Sequence, residues 1–463
     1  MTKQPNVVVC MCDQLRASEV GCYGNPVIHT PNIDRLAQEG VRFEHAISNN
    51  PVCMPARSCL LSGEYSRTCM GSLGNDVERD AQGRAILPEY PVSRRVHLPD
   101  PTLPEQLRSI GYETALIGKW HVKPAPLLVG FDHAVFPRVH HRYTGQTFIE
   151  DSGEGEVVDG YSLDYEAERV ARYLSTTREK PFFLFYNISP PHMPVDDAPE
   201  RIRRMYSPAE VPLRPNVFID GQVAYDENWF KIYLWDFLYY QEHLPHTRRI
   251  PEGFDLRHLT ALYYGMTTWV DEMVGRLMQG LRVNHLDEST ILVFVSDHGD
   301  NLGSHHTFNK DTLMEESIRI PLIFHAPGRL SPRLVNTQVA QIVDVMPTLL
   351  ALCGVAAPTP VQGRNLLPCL TGEQLTVSDG CAYIETSQGQ IGVRSPMHLF
   401  GLQLDSAHQP LTRHGFFYDL RQDPYEVKNL FGTPEQVEIA NTLQASLEEW
   451  NQHTPWLKAR VSV

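Results

Sequence analysis

The sequence contains no tract of about 18 consecutive apolar residues, the length a helix needs to cross a bilayer, so no membrane span is expected. It also lacks a long basic run, and its formal net charge is −15 over 463 residues. A nucleic-acid partner is therefore not expected. The nine cysteines include no CxxC pair. Buried, reduced thiols are the expectation for eight of them. The opening segment MTKQPNVVVCMCDQL has too short an apolar core and no small-residue cleavage site for a secretory signal, so a cytoplasmic location is expected. What the chain does have is 42% hydrophobic residues, enough for a large core. An acidic protein that binds an anion must gather positive charge locally, so individual Arg, Lys and His positions carry the information.

Several short apolar runs stop abruptly at polar residues. Val7 to Met11 ends at Asp13, Thr114 to Gly118 at Lys119, Phe182 to Ile188 leads to His192, and Ile291 to Val295 to Asp297. Runs of Val, Ile, Leu and Phe without alternation are what strands buried on both faces look like. Helical stretches separate them. One opens at Thr30-Pro31 and closes at Gly40, with a cap residue, a first-position Pro and a terminal Gly. Another spans about 259–281, with Leu262, Met266, Trp269, Met273 and Leu277 on one face. The alternation predicts an α/β fold around a large, mostly parallel central sheet. Ligands of such sheets bind beyond the carboxyl ends of the strands. Four strands here deliver Asp13, Lys119 with His121, His192, and Asp297 with His298 to that edge.

After about residue 372 the pattern changes to short strands, CAYIE, GQIGV, HLFGLQL and GFFYDL, then a helix near 434–450. The expectation is a catalytic α/β domain over 1–372 and a smaller antiparallel α+β subdomain over 373–463. The segments 76–101, 122–165 and 195–255 show weak periodicity and read as loops and insertions around the site. Within them, FPRVHHRYTG (136–145) reads equally well as a recognition surface for an anionic or sugar substrate and as a solvated loop. The aromatic stretch 229–240 could form a pocket wall or a subunit contact, and its helical spacing favours plain packing.

The most specific signal is Pro51-Val-Cys-Met-Pro-Ala-Arg57-Ser-Cys-Leu-Leu-Ser-Gly63, a C-x-P-x-R pattern with a Leu-x-Gly tail. Pro55 suits a first helical turn, so Cys53 should sit at a helix N-terminus, where free N–H groups favour developing negative charge. The segment resembles the formylglycine signature of the sulfatases in the alkaline phosphatase superfamily. The resemblance continues through CDQLRASEVGCYGNPVIHTPNIDRLAQEGVRFEHAI, GYETALIGKWH, PPHMP, VSDHGDNLGSHHTFNKDTLMEESIRIPLIF, VDVMPTLLALCGV and FFYDLRQDPYEVKNLF. It thus covers both ends and the centre, leaving mainly the insertions unmatched.

The resemblance implies a sulfatase that hydrolyses sulfate monoesters. A maturation enzyme would convert Cys53 to formylglycine, whose hydrate supplies the nucleophile. The implied metal ligands are Asp13, Gln14, Asp297, His298 and the modified Cys53. Gln14 stands where many sulfatases carry a second Asp, and His298 where many carry Asn. Oxygen ligands suit Ca²⁺, the first expectation, whereas a His ligand suits Mn²⁺ or Zn²⁺ better. Arg57 would hold the diol oxygen and the metal-facing carboxylates, and Lys119, His121, His192 and Lys310 would surround the sulfate. His192 or Lys310 would protonate the departing alcohol, and His121 would take a proton from the second diol hydroxyl. Asn75, 22 residues after Cys53, is a weaker candidate for a sulfate contact.

Gln14 and His298 also resemble the phosphonate monoester hydrolase branch of the superfamily, so a formylglycine-dependent hydrolase of phosphonate monoesters or phosphodiesters is the alternative. A non-catalytic binder of sugar sulfates would leave no reason for ligands, signature and Lys/His groups all to be present.

Overall fold

A computed structural model describes residues 4–75, 98, 101–138, 141–223, 230, 232–234 and 252–457. A ten-stranded sheet forms its centre. In chain order its strands are β1 (Asn6–Asp13), β2 (Val41–Phe43), β3 (Glu113–Gly118), β4 (His133–Pro137), β5 (Thr147–Glu150), β6 (Glu156–Val157), β7 (Phe182–Pro191), β8 (Thr290–Ser296), β9 (Leu322–His325) and β10 (Arg333–Val335). Across the sheet the order is β10-β2-β9-β8-β1-β7-β3-β4-β5-β6. The run β8-β1-β7-β3-β4 is parallel throughout, with antiparallel pairs toward both edges. The mostly parallel sheet read from the sequence is present, and all four predicted apolar runs lie in its central strands.

These strands are apolar without alternation because both faces are covered. Along β1, Val7, Val9 and Met11 point into one hydrophobic cluster and Val8, Cys10 and Cys12 into another. The second cluster is closed by α1 (Pro31–Glu39), α3 (Ser162–Ser175) and α4 (Leu256–Val283). Met266, Trp269, Met273 and Leu277 of α4 are fully buried there, and Leu262 is partly buried. The first cluster is closed by α2 (Cys53–Ser62) and by the residues after 372. These form a four-stranded antiparallel sheet, β11 (Ala382–Glu385), β12 (Gln390–Arg394), β13 (His398–Leu404) and β14 (Pro410–Asp419), with α5 (Val437–His453). Ile391, Val393, Phe400 and Trp450 join the same cluster as Val7, so the small sheet packs directly on the large one's core.

Local readings fare less well at the helix ends. Thr30 occupies the position before α1, but its side chain caps nothing. The free N–H groups of Asn32 and Ile33 donate instead to the Asp271 carboxylate on α4, at 3.0 and 2.8 Å. Gly40 is not left-handed, with φ −121°. A Cβ there would lie 2.6 Å from the Phe324 carbonyl oxygen, so close approach to β9 is what demands glycine.

The segment 122–165 is not all loop, because β4, β5 and β6 extend the sheet through it. They are short and partly exposed, which hides their period. Part of 195–255 is regular too, with a turn of helix at Glu200–Arg203 and a two-residue hairpin pairing Phe218–Ile219 with Gln222–Val223. Most of 76–101 and of the aromatic stretch 229–240 lies outside the described residues. The cysteines are all free, but Cys22 and Cys353 are only partly buried. No helix among the described residues is long and apolar enough to cross a membrane.

Candidate active site

Each strand end releases its polar residue at the same edge of the sheet. β1 ends on Asp13, and the backbone then turns through Gln14 in the left-handed region, φ 65°. That conformation costs a non-glycine residue on the order of 1 kcal/mol and marks a position held by its surroundings. Next to it, Asp297 follows β8 and donates its N–H to the Cys12 carbonyl, 3.2 Å. Two strands away, Gly118 ends β3 at φ 93°, and a Cβ there would sit 2.0 Å from the Asn187 carbonyl oxygen. Only glycine lets the chain pass so close to β7 and turn Lys119 inward. His192 follows the last residue of β7.

Opposite this edge, α2 begins at Cys53 with Val52 extended before it and Pro55 in the first turn, as the sequence pattern predicted. Asn75 accepts the free N–H of Met54, 3.0 Å, so it supports the start of this helix. Asp13, Gln14, Cys53, Arg57, Lys119, Asp297 and His298 are essentially inaccessible.

The two carboxylates divide their oxygens. Arg57 donates from Nε to Asp297 Oδ2 at 3.1 Å and from Nη2 to Asp13 Oδ2 at 3.0 Å, and Lys119 Nζ also contacts Asp13 Oδ2. The Oδ1 atoms face the other way. Asp13 Oδ1 lies 3.7 Å from Cys53 Sγ and 3.8 Å from His298 Nε2, and Asp297 Oδ1 lies 3.6 Å from that nitrogen. Cys53 Sγ is 3.2 Å from His298 Nε2. His298 Nδ1 lies 2.8 Å from the Gly299 carbonyl oxygen. A carbonyl accepts only, so Nδ1 carries a proton and Nε2 is the nitrogen that faces the cluster, where Asp297, against burial, raises the imidazole's pKa. Ligand atoms of Asp13, Cys53, Asp297 and His298 all lie within 4.8 Å of one another. Two carboxylates, one sulfur and one imidazole lone pair fit a divalent cation.

Lys310 closes the site from the other side. Its Nζ reaches Cys53 Sγ at 2.8 Å, Gln14 Oε1 at 3.1 Å and His192 Nε2 at 3.0 Å, three acceptors for three N–H bonds. His192 Nδ1 donates to the Met193 carbonyl, 2.7 Å, which leaves Nε2 to accept from Lys310.

The electrostatics follow from this arrangement. Burial alone would raise Asp13, but Lys119, with His192, Lys310 and Arg57, holds its carboxyl well below the usual range. Burial and Asp13 oppose ionisation of the Cys53 thiol, and Lys119, Lys310 and His298 outweigh them, so its pKa falls well below that of a free thiol. Burial and then the charge on Lys310 push His192 down to about 4. Burial, against a hydrogen bond with Cys53, likewise leaves His121 at about 4. Both imidazoles are therefore neutral near pH 7. Asp297 is raised to about 6, by burial and then by Asp13.

All ten residues singled out in the sequence thus meet around Cys53. Four others were not singled out, two of them, His141 and Tyr233, lying within the stretches 136–145 and 229–240. Asp300 accepts from Gln14 Nε2, 2.7 Å, and from the Tyr233 hydroxyl, 2.7 Å, which fixes the Gln14 amide with its oxygen toward Lys310. The Tyr263 hydroxyl, on α4, holds the Gln14 carbonyl at 2.6 Å. His141, from the insertion, stacks on His192 with centroids 3.6 Å apart. Asp300 lies in the same DHGD run as Asp297, and the run itself was the available signal.

Comparison with known proteins bears on the chemistry. The family model described as Sulfatase matches residues 5–355. The N-acetylglucosamine-6-O-sulfatase of Bacteroides thetaiotaomicron is 28% identical, over 97% of this chain and 86% of its own. A protein solved in complex with its substrate D-glucosamine-2-N,6-O-disulfate superposes with a TM-score of 0.78 at 26% identity, covering 97% of this chain and 98% of that one. The phosphonate monoester hydrolase of Agrobacterium radiobacter shares the fold, with a TM-score of 0.70 at 20% identity over 98% and 96% of the two chains.

Proposed function

Because this chain belongs to the sulfatase family and is a hydrolase acting on sulfuric ester bonds, we propose that it cleaves sulfate monoesters at Cys53 converted to formylglycine, beside a divalent cation. The observation that carries this reading is the position of Cys53. It starts a buried helix, with Lys310 Nζ 2.8 Å and His298 Nε2 3.2 Å from its sulfur. A formylglycine at this position supplies a geminal diol, one hydroxyl for attack on sulfur and one whose proton, once lost, lets sulfate leave by C–O cleavage.

Asp13, Gln14, Asp297, His298 and residue 53 would hold the cation, which supplies positive charge for the sulfate oxygens when bound. Calcium is the first choice for these oxygens, with manganese or zinc favoured by the imidazole. Arg57 keeps the two Oδ2 atoms occupied, so the Oδ1 atoms remain oriented for a ligand. Lys119 and Lys310 set fixed positive charge where negative charge builds on the bridging oxygen. Of the two candidates for the leaving-group proton, Lys310 is the donor, because His192 Nε2 already accepts from it. His121, neutral near pH 7, is the base for the diol hydroxyl. A maturation enzyme is the partner this chemistry requires. The N-acetylglucosamine-6-O-sulfatase and the glucosamine disulfate complex favour a saccharide sulfate as substrate. Residues 1–372 carry the chemistry and 373–463 support it as a subdomain.

A second reading, hydrolysis of phosphonate monoesters, has its own observation in Gln14 and His298 beside Cys53. Rates on an aryl sulfate and on phenyl phosphonate, measured with maturated protein, separate the two. Peptide mass spectrometry after coexpression with a maturation enzyme should show the Cys53 thiol turned into an aldehyde, sulfur replaced by oxygen with the loss of two hydrogens, and Cys53→Ala should abolish turnover with the fold intact. Full activity with unmodified Cys53 overturns the mechanism.

A further inference from the structure

We infer that His141 is a positioning residue: by stacking on His192 it fixes the imidazole that receives the Lys310 hydrogen bond. The inference rests on the reading of Lys310 as the proton donor. It begins with a geometric fact. The two rings lie 3.6 Å apart and within 8° of parallel, which is full face-to-face contact. His121 stands edge-on to the far partner, 5.8 Å from His141 at 77°. Three imidazoles from three separate segments therefore share the rim of the Cys53 cluster.

The segment that carries His141 is fastened to the one that carries His192. The Tyr143 hydroxyl donates to the His192 carbonyl at 2.6 Å. The backbone N–H groups of Tyr143 and Thr144 and the Thr144 hydroxyl donate to the Asp197 carboxylate at 2.7, 3.2 and 2.8 Å. Tyr143 is wholly buried, packed edge-on to Trp269 of α4. This clamp brings an insertion, with little periodicity of its own, to one fixed place beside the catalytic edge.

The stack does something the hydrogen bonds of His192 do not. Its Nδ1 bond to Met193 holds one point of the ring in its plane. Rotation about the Cβ–Cγ bond tips Nδ1 and Nε2 out of line with Met193 and Lys310, and a flat ring pressed on one face opposes that rotation. If Nε2 leaves, Lys310 keeps only Gln14 and residue 53 as acceptors, and its N–H vectors drift from the position of the departing oxygen. Proton transfer depends on that alignment.

The test uses maturated His141→Ala and His141→Phe, with two readouts. In crystal structures, the His192 ring should turn or lose definition in the Ala variant and keep its place in the Phe variant, which retains a flat face. In kinetics, the Ala variant should lose at least about 10-fold in kcat on alkyl sulfates, a share of the ~10²-fold or more that general acid catalysis contributes. Its loss on nitrophenyl sulfate, whose leaving group needs little proton assistance, should be small, and the Phe variant should recover most of the difference. An unmoved His192 ring in the Ala variant overturns the inference. So do equal losses on both esters, or a Phe variant as impaired as Ala. A wild-type enzyme inactive on every sulfate ester would instead overturn the proposed function, and the crystallographic comparison would still decide whether His141 holds His192.

Discussion

Two clusters among the described residues each set a histidine between two carboxylates, and they differ in what else faces them. Asp13, Asp297, His298 and Cys53 form one, and His305, Glu316 and Glu426 the other. In the first, His298 donates Nδ1–H to a carbonyl and turns Nε2 toward the Cys53 sulfur and the carboxylates, and Asp297, against burial, raises its pKa. In the second, His305 Nε2 lies 3.5 and 3.6 Å from the Glu316 and Glu426 carboxylates. Those carboxylates overcome the effect of burial and raise its pKa to about 9, so it is a cation near pH 7. Arg214 donates to Glu316 at 2.8 Å and Asn216 at 2.7 Å. The second cluster thus carries its own positive charge and ties Glu426, from the C-terminal region, to the catalytic sheet's loops. Residue types alone do not make a cation site. What sets the first apart is a sulfur among its ligand atoms and carboxylates whose Oδ2 atoms are held by cations while the Oδ1 atoms face that sulfur and His298.

The sharpest way to break this comparison is to remove one carboxylate from each cluster. Asp297→Ala should empty the bound cation and bring turnover to background, since even outer partners of a metal cost ~10–100-fold. Glu316→Gln should keep its cation and most of its activity while losing stability. Elemental analysis of the purified proteins reads the first outcome directly and identifies the ion. Equal metal content in wild type and Asp297→Ala, or loss of metal in Glu316→Gln, would invalidate the distinction drawn here.

The two clusters also differ in what the sequence disclosed. Asp13, Lys119, His192 and Asp297 were legible because fully buried parallel strands must be apolar, and an abrupt polar residue at each end has to go somewhere. Cys53 was legible because C-x-P-x-R couples a helix start to one reactive position. His141 was not, because an insertion of weak periodicity gives no sign of where its histidines go, and the stacking depends on Asp197 and Tyr143 meeting in space. The caps of α1 failed for the same reason, since Asp271, 239 residues beyond Asn32, accepts the N–H group that Thr30 leaves free. The second cluster gave no signal at all, because Glu426 joins it only after the C-terminal sheet has packed.

A smaller effect separates the cations that face each cluster. Lys310 points at the Cys53 sulfur, whereas Arg214 points at a carboxylate. Lys310→Ala should therefore lower kcat by ~10²–10⁴-fold on alkyl sulfates, much less on nitrophenyl sulfate, and leave the melting temperature nearly unchanged. Arg214→Ala should do the reverse, lowering the melting temperature and sparing kcat. Uniform losses across leaving groups for Lys310→Ala would mean that this lysine binds sulfate without donating a proton.

The smallest effect is a pH dependence of stability in the alkaline range that His305 should give the second cluster. His305 has its folded pKa raised from 6.5 to about 9, so the stability it lends is whole below pH 6.5 and is lost as pH climbs through 9. Glu426 is raised to about 7, chiefly by burial, and its contribution falls over the same direction of change, between its ordinary value and pH 7. Glu316 is depressed, against burial, by Arg214 and His305, so its share is lost only as pH falls into the acid range. Above pH 7 the histidine is thus the member of this cluster still titrating. Wild type should lose a few degrees of melting temperature between pH 7 and 9.5 beyond the loss seen in His305→Gln, whose amide cannot take up the proton. Activity at pH 7 should differ little between them, because His305 touches none of the groups around Cys53. Parallel melting curves across that range would show that His305 is not a cation of its cluster, leaving Arg214 as the charge that holds Glu316.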